Sequence, residues 1–345
     1  MIDVAVVGAG LTGLICASKL QEAGHTVVVL EKSRGLGGRV ATRRVQDTCF
    51  DYGLPSLEIQ GPLTQQWINH WRQQELLARW TVPTSARQSD GTLMPELVAD
   101  QYAAPGGMTA IAKDLASGLE VRRQHRVSHL SPQSGRWQIQ VAPVGDTSPT
   151  PISARAIALT IPAPQAATLL RPLITTGLPL SLVQAIESVE FEPCLTAIAA
   201  YSDDATQTDA SWGVIRFAPE APLRWLGVDS SKRLTGRASS TPPIVVFHSS
   251  PEFAHQHLEA ADLDAVGRQL LAWAGAHISP WLAVPTWLQV HRWRYAFCRR
   301  PLTERSLYAT QPLPLVCGGD WCGGKTIEAA IQSGLAIAHQ VNSSL

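Results

Sequence analysis

Glycines at positions 8, 10 and 13, within GAGLTG, and the acid Glu31 are the first residues whose types and spacing imply chemistry. Together they suit a grip on the ADP part of a dinucleotide. Gly8 permits a tight turn, Gly10 lets backbone approach a pyrophosphate, and Gly13 allows a helix to pack closely on a strand. Leu11 and Thr12 stand between the last two glycines, where phosphate would meet the positive end of a helix. Glu31 follows at a distance from which a carboxylate accepts hydrogen bonds from ribose hydroxyls, and an acid there argues against a 2′-phosphate. On these residues alone NAD and FAD both remain open.

The next segment, EKSRGLGGRVATRR, separates them. Gly35, Gly37 and Gly38 allow a backbone that wraps around phosphate, while Lys32, Arg34 and Arg39 supply positive charge, the two arginines as candidates for charge-assisted contacts. A solvated basic loop has no need of interleaved glycines. An NAD dehydrogenase usually has no second glycine-rich loop after its ribose acid, so FAD is favoured. FDYG follows, offering Gly53 and Leu54. Far along the chain, the apolar run LPLVCGGD ends at Gly319-Asp320, and a helix begins at about Ile327, after Thr326. A carboxylate at a strand end can bind ribityl hydroxyls, and a helix N-terminus facing the pyrimidine edge favours anionic reduced flavin. Glu328, early in that helix, reads as a helix-dipole partner.

At this point the sequence resembles the flavoprotein amine-oxidase superfamily, and its SRGLGGRVATRR form resembles the renalase-like branch. YAAPGGMTAIAKDLA (residues 102–116), HRWRYA (291–296) and VCGGDWCGGKTIEAAIQSGLAIA (316–338) are similar to further family blocks. The resemblance implies an α/β fold in which a Rossmann-like FAD-binding domain (1–60, 98–163, 298–345) is interrupted by a mixed-sheet substrate domain (61–97, 164–297). It implies that Val127 clamps adenine through its backbone and that FAD is held without a covalent bond, since Cys322 does not match the attachment site. One departure stands out. Leu54-Pro55-Ser56-Leu57 occupies a place where the family carries polar and aromatic groups beside the isoalloxazine.

The elements that must position these residues are legible in outline. Asp3–Val7 and Thr26–Leu30 read as buried strands around a helix that closes at Gly24. Thr64–Trp80 reads as a helix with Trp67 and Trp71 on one side. Leu119–Val127, Trp137–Val141, Ala154–Thr160, Ile244–His248 and Trp287–Tyr295 read as strands, and Ile161–Pro164 as a crossing between domains. On the last strand Trp287, Gln289, His291, Trp293 and Tyr295 share one face, a candidate pocket roof, with Arg292 and Arg294 opposite. His248 and His291 read as structural histidines rather than bases. Stretches 143–151, 202–211 and 231–243 read as surface loops.

Composition narrows the remaining classes. The 345 residues carry 28 basic and 28 acidic side chains, so no basic stripe points to nucleic acid or an anionic membrane. The six cysteines lack a CxxC pair and any zinc set, which suggests reduced thiols in a cytoplasmic protein, with no metal. No GxSxG turn is present. The resemblance implies oxidation of 2- or 6-dihydro isomers of NAD(P), with molecular oxygen reduced to hydrogen peroxide. A dihydropyridine that loses hydride becomes an aromatic pyridinium directly, so no catalytic acid or base is named. Amine, amino-acid or polyene oxidation, and a flavin-binding role without turnover, stay open as alternatives.

Overall fold

Two sheets organise the chain in the computed structural model, which describes residues 1–45, 48–142, 151–202, 212–233 and 243–345. The first is built on parallel strands. Ile2–Val7 lies between Val27–Glu31 and Ile152–Leu159. Glu120–Arg123 extends the sheet on one side, and Leu315–Cys317 pairs with Ile152–Leu159 on the other. Strands covered on both faces must be apolar throughout, and their alternate side chains serve two cores. Val4, Val6, Val27 and Val29 pack with helices Leu11–Glu22, Thr109–Leu115 and Ile327–Asn342. Ala5, Val7, Val28 and Leu30 pack on the opposite side with helices Ala163–Leu170 and Leu180–Glu187.

The second sheet has seven strands, in the order Trp287–Arg300, Glu190–Ala200, Ile244–Ser249, Leu223–Val228, Val214–Phe217, Thr84–Arg87 and Leu93–Pro95. Its pairings are antiparallel except between Val214–Phe217 and Thr84–Arg87, so the sheet is mixed. Ala197, Ala199, Val245 and Phe247 face helix Leu263–His277 through Leu270, Leu271 and Ala274. On the other face, Ile198 and Val246 meet Phe50 from the nucleotide side. The architecture is therefore a Rossmann-like parallel unit with a mixed-sheet unit laid against it.

Several elements differ from the sequence expectation. Leu119–Val127 is not one strand: it divides into Glu120–Arg123 and Val127–Gln133 because Gln124 takes a left-handed φ of 59°. The helix expected over Thr64–Trp80 spans Pro62–Gln73 and ends before Glu75, whose φ is also 59°. Ala78–Arg79 then pairs with Gln101–Ala103. Trp67 and Trp71 do stack along that helix, with ring centroids 5.2 Å apart. The expected substrate ranges are too wide. Pro62–Gln73 buries Ile68 and Trp71 in the nucleotide-side core. The two helices after Ile161 also pack on the parallel sheet, so the crossing comes near Val189 and not at Ile161–Pro164. Periodicity shows that a helix face is buried but not against which sheet. Most of the three stretches read as loops lies outside the described residues; Asp229–Arg233 forms a short 3₁₀ turn. Among the described residues no helix is long and apolar enough to cross a membrane, and no group of three or more side chains could hold a metal.

Candidate active site

The two glycine loops lie side by side at the strand ends. Gly8 has φ of 108°, which suits the turn leaving the first strand. A Cβ on Gly13 would lie 2.0 Å from the Gly8 carbonyl oxygen and 2.5 Å from Thr160 Oγ1, so only glycine allows the helix to approach this closely. A Cβ on Gly10 would meet nothing within 4 Å, which leaves open space at the helix N-terminus. Gly37 and Gly38 both have positive φ, and the Gly37 N–H donates to the Ala9 carbonyl at 2.8 Å. Leu11 is buried, and the Thr12 hydroxyl donates to the Ala330 carbonyl, tying the first helix to the last.

Glu31 joins the two loops. One carboxylate oxygen accepts from Ala9 N–H at 2.9 Å and the other from Ser33 N–H at 2.7 Å. The residues before Val127 run beside it, with the His125 N–H donating to the Glu31 carbonyl at 2.8 Å. Val127 is buried there, while Lys32 and Arg34 are exposed at the rim. Arg39 departs from the expected phosphate contact. Its guanidinium makes two 2.6 Å hydrogen bonds to Asp320 and a third, 3.1 Å, to the Ala296 carbonyl. Two charged groups expected to hold different parts of one cofactor therefore hold each other. Gly53 has a local reason as well: a Cβ there would lie 2.0 Å from the Arg39 carbonyl oxygen, to which Leu54 N–H donates.

The closing helix is capped twice over. Thr326 accepts from Ala329 N–H at 3.2 Å, and the Ile327 N–H donates to the Gln60 side chain at 2.9 Å. The Gly319 N–H is held by the Ser333 hydroxyl. Glu328 does more than complement its own helix. Its carboxylate accepts from Leu63 and Thr64 N–H at 3.1 and 2.7 Å, capping Pro62–Gln73 from outside. Those backbone bonds hold its carboxyl below the usual range against the opposing effect of burial.

A cleft opens between Leu54, Ser56, Glu58, Gln60 and Ile327 on the nucleotide side and Arg224, Trp225, His248 and Phe297 on the mixed sheet. An adjoining hollow shares Ser56, Gln101, Arg216 and Trp225 with it. The expected pocket roof is elsewhere. Trp293 stacks on Tyr52 at 5.3 Å, His291 meets the same ring edge-on at 4.8 Å, and Trp287 packs on Phe50. Tyr295 meets Phe191, and neither it nor Gln289 lines the cleft. The residue of this alternation that does line it is Phe297, one step beyond the expected end of the strand.

His248 reads from the sequence as a structural histidine, yet its Nε2 is buried without a hydrogen-bond partner among the described residues. Its ring lies 5.0 Å from Trp225. Burial, with help from the charges of Arg224 and Lys232, lowers its pKa to about 3. Burial and Arg43 lower that of His291 to about 4. Both rings are neutral at ordinary pH.

Directly after strand Leu223–Val228 comes a buried ionic cluster that sequence reading missed. Lys232 Nζ lies 3.1 Å from Asp51 and 2.5 Å from Asp229, and Arg233 bonds the same carboxylates at 3.2 and 2.6 Å. Thr42 and the Met108 N–H also donate to Asp51. Against the desolvation of burial, Lys232 and Arg233 hold the Asp51 carboxyl below its usual range. The cluster ties Thr48–Asp51 and the Gly107–Met108 turn to the end of strand Leu223–Val228, which carries Arg224 and Trp225.

Comparison with known proteins agrees with this geometry. Residues 6–70 match an NAD(P)-binding Rossmann-like domain, and residues 91–342 match the flavin-containing amine oxidoreductase family. The chain is 25% identical to renalase of Mus musculus over 98% of both proteins. Its fold superposes on putrescine oxidase bound to putrescine with a TM-score of 0.73, 14% identity and 99% coverage of each chain. It superposes on cyclohexylamine oxidase from Brevibacterium oxydans IH-35A with a TM-score of 0.70, 12% identity and the same coverage. The family match spans most of the chain, which therefore belongs to the flavin-containing amine oxidoreductases and is an oxidoreductase.

Proposed function

We propose that this member of the flavin-containing amine oxidoreductase family binds FAD without a covalent bond and oxidises 2- or 6-dihydro isomers of NAD(P) to NAD(P)⁺, with oxygen as acceptor. FAD, when bound, accepts hydride and passes the electrons to oxygen as hydrogen peroxide. The observation that carries the reading is a cleft lined by Trp225, Phe297, Arg216 and Arg224, in which Glu58 is held by Arg216 and Gln101 and His248 is neutral at working pH. Burial, with the charges of Arg224 and Lys232, lowers the pKa of His248 to about 3. Hydride loss from a dihydropyridine needs no base, so the wall need only bind and orient. Trp225 and Phe297 line the cleft with aromatic surface suited to a pyridine ring, and the unpartnered Nε2 of His248 is buried beside Trp225.

The cofactor groups fit FAD. The Gly10 opening and the paired glycine loops suit the pyrophosphate, Glu31 and the backbone at Val127 the adenosine end, and Asp320 with the Thr326–Ile327 helix start the ribityl and flavin end. Cys322 is buried and its thiol is pushed up, which disfavours a thioether link. A second reading, amine oxidation, draws on the family and the fold neighbours; Arg224 disfavours an ammonium ion beside it, and the cleft's carboxylate, Glu58, is already engaged by Arg216 and Gln101. The test is anaerobic mixing of the purified yellow protein with 2- and 6-dihydro-NAD(P), ordinary NADH and simple amines. Rapid flavin bleaching by a dihydro isomer supports the proposal; bleaching by an amine or NADH alone refutes it.

A further inference from the structure

We infer that Arg224 is the anion-recognising group of the cleft and selects donors that carry a phosphate, an inference that rests on the dihydronicotinamide reading. Three guanidinium groups line the cleft and its adjoining hollow. Arg79 is paired with Asp100 at 2.5 Å, and Arg216 with Glu58 at 3.4 Å and Glu96 at 3.6 Å. Arg224 has no carboxylate partner among the described residues. Its guanidinium instead lies 4.1 Å from the centre of the Phe297 ring.

That arrangement has a chemical consequence. A guanidinium stacked on an aromatic ring is held in one plane and keeps its N–H forks free at the edge. Those forks match two oxygens of a phosphate, and they contain no acceptor that could serve a neutral sugar equally well. The group also lines the same cleft as Trp225 and His248, whose rings pack on each other with centroids 5.0 Å apart. A nicotinamide ring lying against Trp225 in the cleft would carry its 5′-phosphate one sugar away, within reach of the same wall that Arg224 lines. Paired Arg79 and Arg216 would have to leave a carboxylate to do the same work, whereas Arg224 gives up only water.

The experiment uses the FAD-loaded full chain and two donors that differ by one phosphate: dihydronicotinamide mononucleotide and dihydronicotinamide riboside, in the reactive isomer. Anaerobic stopped-flow flavin reduction gives a half-saturating concentration and a limiting rate for each. Arg224→Met keeps the apolar stem and removes the charge. It should raise the half-saturating concentration of the mononucleotide about tenfold to a hundredfold, the range of a charge-assisted hydrogen bond pair. The riboside should shift several-fold less, and Arg224→Lys should fall between. A parallel titration follows the perturbation of the oxidised flavin spectrum by nicotinamide mononucleotide and nicotinamide riboside, and it needs no turnover. If Arg224→Met moves both members of each pair equally, or neither, the inference is overturned. If no dihydro donor bleaches the wild-type flavin, the functional reading fails, while the titration still decides the anion site.

Discussion

Replacing Lys232 by methionine tests whether the buried cluster is an ionic balance or a set of incidental contacts. Lys232 and Asp51 have fully buried side chains, Asp229 is 1% exposed, and Arg233 is the other cation within reach of both acids. At an effective dielectric of 20, an ion pair at the 3.1 Å separation of Lys232 and Asp51 attracts by roughly 5 kcal/mol. Part of that is offset by the cost of burying the ammonium group, so the net loss on removing one partner should be about 3–5 kcal/mol. The cation also sits 5.2 Å from the Trp80 ring, which adds to the loss. Against a total stability of about 5–15 kcal/mol such a loss is large.

The double variant Lys232→Met/Asp229→Asn is the decisive arm. Asp51 keeps two neutral donors, Thr42 and the Met108 N–H, whereas Asp229 relies mainly on the two cations. Removing Asp229 together with Lys232 restores a one-to-one balance between Asp51 and Arg233. Urea unfolding of the single variants, the double variant and the wild type closes the cycle. The double should recover at least half of the loss seen in Lys232→Met. A single-variant cost below about 1 kcal/mol, or a double variant no more stable than Lys232→Met, would show that the charges are not coupled as their geometry requires.

The two turn glycines should separate folding from cofactor binding. Gly10→Val should melt near the wild type because its Cβ meets open space, yet lose FAD in equilibrium dialysis by about a hundredfold or more; Gly13→Ala should unfold at lower temperature because its Cβ would lie 2.0 Å from Gly8. Glu328→Gln should cost about 1 kcal/mol in urea at pH 7 through loss of the charged cap on Pro62–Gln73. Because the folded Glu328 pKa is lowered, that stability is complete above its unfolded pKa and is lost as pH falls through the folded one, so variant and wild type should converge in acid. The limiting rate of flavin reduction by a dihydronicotinamide should be flat from about pH 5.5 to 8, since His248 and His291 titrate at about 3 and 4; a step near 6.5 would show an imidazole in the proton path.

The glycine turns were legible in the sequence because backbone geometry dictates them. A positive φ at Gly8 and a contact at Gly13 that excludes any Cβ are demands that few residues meet. Alternation along Trp287–Arg300 was legible in the same way, since side chains on a strand have a period of two. What covers that face was not, and Tyr52 and Phe50 take most of it, leaving Phe297 to the cleft. Pairings between distant charges were illegible for a different reason. Arg39 and Asp320 are 281 residues apart, and charge alone does not choose a partner. The Asp229–Arg233 turn overlaps the stretch 231–243 that reads as a surface loop, and Lys232 within it is buried, because a balanced buried cluster has the same composition as a solvated one.

Those distant pairings also explain how a cradle for so long a cofactor can keep its shape. Glu31 is fixed by two backbone N–H groups, Arg39 and Asp320 fix each other, and the Ile327 N–H is fixed by Gln60. Each group has a protein partner that sets its direction while leaving further hydrogen-bonding capacity on the carboxylates. Arg224 and His248 differ from these: one has no carboxylate partner and the other has a buried nitrogen without any partner, among the described residues. An unsatisfied buried nitrogen costs about 1–3 kcal/mol and persists only where something compensates for it. Groups that bind the cofactor should therefore be found tied to one another, and groups that bind the transient donor should be found untied. By that criterion the proposed donor site is the wall made by Arg224, Trp225, His248 and Phe297.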